Sequence, residues 1–245
     1  MKKLLIILVA FLSVHSAFAI KKEVISFDLK FGFVKGGEAK FIISETTFNN
    51  QPAVAYHLIV RTTGLTDKLF GVDDEYQTLV DAQNGLPLKS IRNIKEGKYS
   101  WYNETLYFQD QDSIFSQKSG GRSVPDTLVD IVSVFFYFID HYLMDEIEKG
   151  KKVTLPTFHA DKIDDVTVKY VGDRKIETDL GKTDCHVLAP VIDKGKLLKR
   201  SDGLKFFISK STKIPILLEF DMRVGALRAV LNSYTINGEE QIAQN

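Results

Sequence analysis

Beyond its first twenty residues the chain carries four histidines, His57, His141, His159 and His186, and one cysteine, Cys185. These side chains could hold a transition metal or activate a nucleophile, but their spacing serves neither purpose. His141 and Asp145 stand four apart, on one face of a helix. A transition-metal site takes three or four ligands, and no HExxH, CxxC or HxH pattern supplies the others. Cys185 and His186 are neighbours in a segment of strand character. Their side chains therefore leave opposite faces and do not make a thiolate–imidazole pair. Cys185 reads as a small core residue, and with one cysteine no disulfide forms within the chain. Asp161, Asp164 and Asp165 lack the residue order and the distal glutamate of a calcium loop, and Asp73-Asp74-Glu75 reads as a solvated strand end. Ser119-Gly120-Gly121-Arg122 lacks the spacing of a phosphate loop, and no GxSxG or SxxK motif is present. The expectation is a noncatalytic protein with no metal and no cofactor. An enzyme of unrecognised type remains the alternative, because carboxylates are plentiful and catalysis is decided by geometry.

A different chemistry is carried by the aromatics, 17 Phe and 9 Tyr. Phe27, Phe31 and Phe33 on one strand, Phe41 on the next, and Phe135, Phe138 and Tyr142 on a helix form a candidate apolar ligand site. The competing use of the same rings is a closed core. Each buried ring contributes roughly 1.5–3 kcal/mol, so a hollow site requires a compensating core elsewhere. The expected partner is an apolar or acylated small ligand, with another envelope protein as the alternative. Nucleic acid is excluded, since 32 basic residues balance 32 acidic ones and leave no concentrated basic surface. The densest basic cluster, Lys194, Lys196, Lys199 and Arg200, reads as a solvated loop; contact with anionic lipid headgroups is its other use.

These residues need elements to position them. From Ile131 the apolar side chains recur at helical spacing, with Ile131, Val134, Phe135, Phe138 and Tyr142 on one face and Val132, Phe136, Ile139 and Leu143 on another. The segment from about 126 to 147 therefore reads as one helix covered on more than one side. Asp126 and Asp130 are candidate N-caps, and Lys149-Gly150 is a stop. From Asp130 to Met144 such a helix spans only about 22 Å, too short to cross a bilayer.

Elsewhere the period is two. Val24–Phe33, Glu38–Thr46, Val54–Arg61, Tyr76–Val80 and Tyr99–Phe108 read as strands. Turns are expected at Lys35-Gly36-Gly37, Asn49–Pro52 and Asp81–Gly85, with Thr63–Asp73 an irregular connection. After the helix, Lys152–Phe158, Val166–Val171, Lys175–Leu180, Cys185–Ala189, Leu204–Ser209, Ile216–Val224 and Ala226–Ile236 continue the pattern. Short strands separated by turn signals argue an antiparallel meander. The expected fold is mainly β: a curved antiparallel sheet or open barrel with one central apolar helix packed on its concave face.

Met1–Ala19 has the form of a secretory leader: Lys2-Lys3, an apolar run, then Ala17-Phe18-Ala19. One β-rich domain over 20–245 follows, with no further membrane-spanning stretch and no cysteine near the cleavage site to carry a lipid. The expected location is the periplasm.

Several motifs carry a family resemblance. Asp81…Gly85-Leu86-Pro87, the Asp130-Ile131-Val132-Ser133 start of an aromatic helix with Tyr137, Gly181-Lys182-Thr183, and the late Ile214-Pro215-Ile216 together resemble the bacterial envelope family called domain of unknown function 3108. Asp140-His141 stands where that family often has an arginine. The layout also resembles the half-barrel lipoprotein carriers, which implies a curved sheet cupping an apolar cavity with a helix at its mouth.

Overall fold

The computed structural model describes residues 21–143, 147–178, 180–191, 203–222 and 225–241. The leader read at Met1–Ala19 and the basic cluster at 194–200 lie outside these residues. The first half of the chain forms β1 (Lys22–Phe31), β2 (Val34–Phe48), β3 (Gln51–Thr62), a short helix α1 (Gly64–Leu69), β4 (Asp73–Asp81), β5 (Pro87–Glu96), β6 (Tyr99–Phe108), β7 (Ser113–Ser116) and β8 (Gly120–Ser123). A two-residue strand, β9 (Val129–Asp130), precedes the central helix α2 (Ser133–Tyr142). Then come β10 (Lys152–His159), β11 (Lys162–Thr178), β12 (Gly181–Val191), β13 (Leu204–Ser209), β14 (Pro215–Met222), β15 (Gly225–Ile236) and β16 (Glu239–Glu240).

All the strands belong to one curved, unclosed sheet. Two antiparallel meanders, β1 to β8 and β10 to β15, are joined where β1 pairs with β15. The register of that seam, Ile25 opposite Tyr234 and Phe27 opposite Leu231, places apolar side chains together across a sequence separation of about the whole chain. The outermost strands are β8 and β9, and β9 runs parallel to β10. Both are short, so little unpaired ladder is exposed. Side chains draw these two ends together. The β10–β11 turn carries Asp161, whose Oδ1 accepts from Ser116 Oγ at 2.7 Å and Ser119 Oγ at 2.9 Å, while Arg122 donates to its carbonyl at 2.9 Å.

The structure corrects several local expectations. The β1–β2 turn falls at Gly32-Phe33, where Gly32 has φ +59°, and not at Lys35-Gly36-Gly37. Gly36 and Gly37 instead lie in β2, opposite a register shift at Leu29/Lys30. A Cβ on Gly37 would sit 2.6 Å from the Arg61 carbonyl oxygen, so this close approach of strands needs glycine. The connection after β3 contains α1. The expected break at Gly172-Asp173 is a bulge inside the single long strand β11, with Tyr170 opposite Leu188 and Gly172 opposite Val187.

The central helix is shorter than its apolar pattern. Residues 126–132 form a turn and β9, and α2 ends at Tyr142, with residues 144–146 outside the description. Asp130 explains the start: its Oδ1 accepts from the backbone N–H groups of Val132 at 3.1 Å and Ser133 at 2.6 Å. Ser133 Oγ in return accepts from the Asp130 N–H at 2.9 Å. This reciprocal arrangement satisfies donors that a helix start leaves open. Asp126 accepts from Thr127 Oγ1 and from no helix N–H among the described residues.

Candidate functional site

The helix packs against the sheet by its aromatic residues. Phe136 stacks on both Phe41, at 5.0 Å between ring centroids, and Tyr56, at 4.3 Å, which lie 6.0 Å from each other. Phe135 meets Phe206 edge-on at 5.0 Å. Phe138, fully buried, packs with Val168, Leu188 and Ile208 from the opposite wall. Gly85 in the β4–β5 turn comes close to Tyr137 and His141, so the C-terminal half of α2 is seated on that end of the sheet. Its N-terminal half borders a cavity.

That cavity has a volume of about 410 Å³ and, among the described residues, is walled by apolar side chains, including Phe27, Phe41, Leu58, Phe135, Phe206 and Leu218. None of these described residues can ionise, so they offer burial and shape and no acid–base chemistry. A larger groove of about 430 Å³ runs past Gln51, Asp81, Asn84 and Gln109; its mixed polar wall does not fit an apolar ligand.

Four of the seven residues expected at an apolar site, Phe27, Phe41, Phe135 and Phe138, are brought together on the cavity wall. The other three are elsewhere. Phe33 stands at the tip of the β1–β2 turn, fully exposed; Phe31, next to that turn, is about half exposed with its ring against Gly225. Strict alternation would have kept both rings inward, but the chain turns at Gly32 before the pattern finishes. Tyr142, at the last turn of α2, is partly exposed and faces Phe138 and Tyr137.

Sequence reasoning missed the wall opposite α2, which comes from β11 to β15: Val166, Leu188, Pro190, Leu204, Phe206 and Leu218. Each lies on an ordinary-looking strand, and only the curvature of the sheet aims them at one space. It also missed an interior that turns polar beside the apolar cavity. Thr78 Oγ1 donates to Asp130 Oδ2 at 2.5 Å, deep in the molecule, and burial pushes the Asp130 carboxyl up against the lowering pull of its Thr78 and Ser133 bonds. Next to this pair the Arg92 guanidinium lies 4.9 Å from the Trp101 ring and 5.6 Å from the Tyr76 ring.

The titratable candidates are placed as follows. Cys185 is fully buried, its thiol pushed up to about 12 by burial, then by Asp184; it is no nucleophile at neutral pH. His186 donates through Nδ1 to Asp173 Oδ1 at 2.9 Å, a contact made by the β11 bulge. Burial works to raise the Asp173 carboxyl, but hydrogen bonds from Lys210, Tyr170 and His186 overcome it and hold it down at about 2. His141 donates to the Tyr137 carbonyl and stacks on the Tyr137 ring; Asp145 lies outside the described residues. His57 meets Glu75 at 2.6 Å on the outer part of β3.

At the sheet end where α1 meets β2 and the β5–β6 turn, apolar side chains are exposed: Phe33, Val34, Leu65, Leu69, Phe70 and Tyr99. Among the described residues, no helix is long and apolar enough to cross a membrane.

Comparison with known proteins supports the architecture. The β-barrel-like protein of domain of unknown function 1849 from Brucella abortus, known from a crystal structure, superposes with a TM-score of 0.53 at 12% identity. The match covers 89% of this chain and 97% of that one, and shows a shared fold. No curated protein matches the chain. The family described as "Protein of unknown function (DUF3108)" matches residues 26–232. Since that match covers most of its length, the chain belongs to the DUF3108 family.

Proposed function

We propose that this protein is a noncatalytic, exported envelope protein that holds an apolar or acylated ligand between α2 and the concave face of its sheet. One observation carries the reading: about 410 Å³ of space under the helix with an apolar lining among the described residues. The space is partly open to solvent, and an apolar concavity exposed to water is of the kind that marks a ligand-binding groove. An apolar space of this size leaves its walls without contacts, which a bound hydrocarbon chain would supply. The leader-like Met1–Ala19 supports the exported location, and the resemblance of the sequence layout to half-barrel lipoprotein carriers supports the ligand class.

Native mass spectrometry of the protein purified from its own envelope tests the reading. A retained lipid-sized mass that is lost on denaturation is expected; a bare monomer mass in every preparation would sink it. Phe135→Asp, which puts a carboxylate into the cavity wall, is expected to abolish ligand retention. Full retention by a folded Phe135→Asp variant would remove the ligand from this cavity.

The second reading is an assembly partner for another envelope protein. Its support is the exposed apolar rim at Phe33, Val34, Leu65, Leu69 and Phe70, a cluster of the kind that marks interaction surfaces. Leu65→Asp with Leu69→Asp would break such an association without altering the cavity.

A further inference from the structure

The apolar cavity adjoins a polar interior. Ile131 and Val132, between β9 and α2, line both the 410 Å³ cavity and a small space of about 30 Å³. That space is lined by Thr78, Arg92, Asn103, Thr105, Asp130 and His159, with the Trp101 and Tyr76 rings beside them. Two nitrogens there, Arg92 Nε and His159 Nδ1, are buried with no hydrogen-bond partner among the described residues. A guanidinium N–H left unpaired inside a protein is unfavourable, and such groups normally meet an acceptor.

The charges around this space favour an anion. Arg92 lies over Tyr76 and Trp101, and Lys118 approaches the same Trp101 ring at 5.5 Å. Arg122 lies over Phe158, one residue before His159. The facing carboxylates are otherwise engaged: Asp130 accepts from Thr78, Val132 and Ser133, and Asp161 from Ser116 and Ser119. Arg92 bonds the Tyr76 hydroxyl and lies in the field of Asp74, but makes no close ion pair among the described residues, and its Nε keeps an unused donor.

We propose that the ligand is an amphiphile with a carboxylate head, of the fatty-acid class, its chain in the apolar cavity and its head on Arg92 and His159. The inference rests on the apolar-cavity reading and names the polar end of that ligand. A space of this size suits a carboxylate, a little larger than water, and not a bulky headgroup. The guanidinium would hold the carboxylate by charge-assisted hydrogen bonds while the rings of Tyr76 and Trp101 keep it in place.

The test compares laurate with 1-dodecanol, which has the same chain and a neutral head, on delipidated full-length protein by calorimetry. Wild type is expected to bind laurate more tightly than dodecanol. In Arg92→Gln, laurate is expected to weaken roughly ten- to hundredfold, the loss of one charged hydrogen-bond partner, with dodecanol unchanged. His159→Gln, a second variant that retains Arg92, should weaken laurate selectively and by less. Equal binding of both amphiphiles to wild type, unaffected by Arg92→Gln, overturns the head assignment and leaves the apolar cavity standing. Equal weakening of both by Arg92→Gln also overturns it, because Arg92 would then act on the fold. Binding of neither amphiphile overturns both readings.

Discussion

At the scale of single residues, Asp130 does the most. It caps α2, anchors that helix to β4 through Thr78, and lies at the border between the polar and apolar interiors. Asp130→Ala would leave the Thr78 hydroxyl and two backbone N–H groups buried without an acceptor. Since each such group costs ~1–3 kcal/mol, the variant is expected to lose at least about 2 kcal/mol in urea unfolding. Asp130→Asn retains an acceptor for the N–H groups and relieves burial of a charge, so it should lose much less. Similar losses for the two variants would show that the carboxylate's charge, and not its capping geometry, matters. The capping role of Asp130 was legible in the sequence, because a short acceptor side chain stood before an apolar helical run. Its bond to Thr78 was not, because Thr78 lies 52 residues away on another strand.

Among the elements, β2 and α2 show how local pattern and neighbours divide the work. The apolar period of α2 is a property of its own residues, and it placed Phe135 and Phe138 correctly inward. Its shorter length is set by Asp130, which starts the helix three residues after the cap candidate's own strand bond to Phe158. In β2, the Gly36-Gly37 pair looks like a turn when read alone. The structure uses it to let strands approach, with Gly37 against the Arg61 carbonyl. Gly37→Ala is therefore expected to destabilise by about 1–3 kcal/mol, the usual scale for forcing an atom into a packed site. Gly32→Ala, at the actual turn, has open space but a positive φ and should cost about 1 kcal/mol. Thermal denaturation of the two variants checks the order; a more harmful Gly32→Ala would reverse this account.

For the whole molecule, pH is the broadest lever. Burial lowers the imidazoles of both His159 and His186 from their ordinary range; Arg92 adds to this at His159, while Asp173 opposes it at His186. A depressed folded-state value means that protonation favours the unfolded chain. The stability these groups contribute is present above the ordinary histidine value near 6.5 and is lost as pH falls below it. The urea midpoint is expected to drop between pH 7.5 and pH 5.5, and the drop should shrink in a His159→Gln, His186→Gln double variant. A midpoint that stays level across that range in the parent protein would contradict this. Asp173 acts in a separate window: held at about 2, its carboxylate contributes in full above the ordinary value of 3.8, and that contribution is lost as pH falls from there through about 2.

The amino-acid sequence by itself determined most of the strands, that one apolar helix lies between them, and that the product is mainly antiparallel β. These follow from interactions between residues a few positions apart: the two-residue period of the pleat, the helical recurrence of apolar side chains, and turn residues at fixed offsets. Only the tertiary structure decided which aromatics share a cavity. Phe27 and Phe135 meet there while Phe31 and Phe33 do not, because a turn one residue after Phe31 ends the alternation and sheet curvature aims the remaining rings inward. The β1–β15 seam and the meeting of Arg92 with His159 are likewise set by long-range register, for which no local period carries a signal.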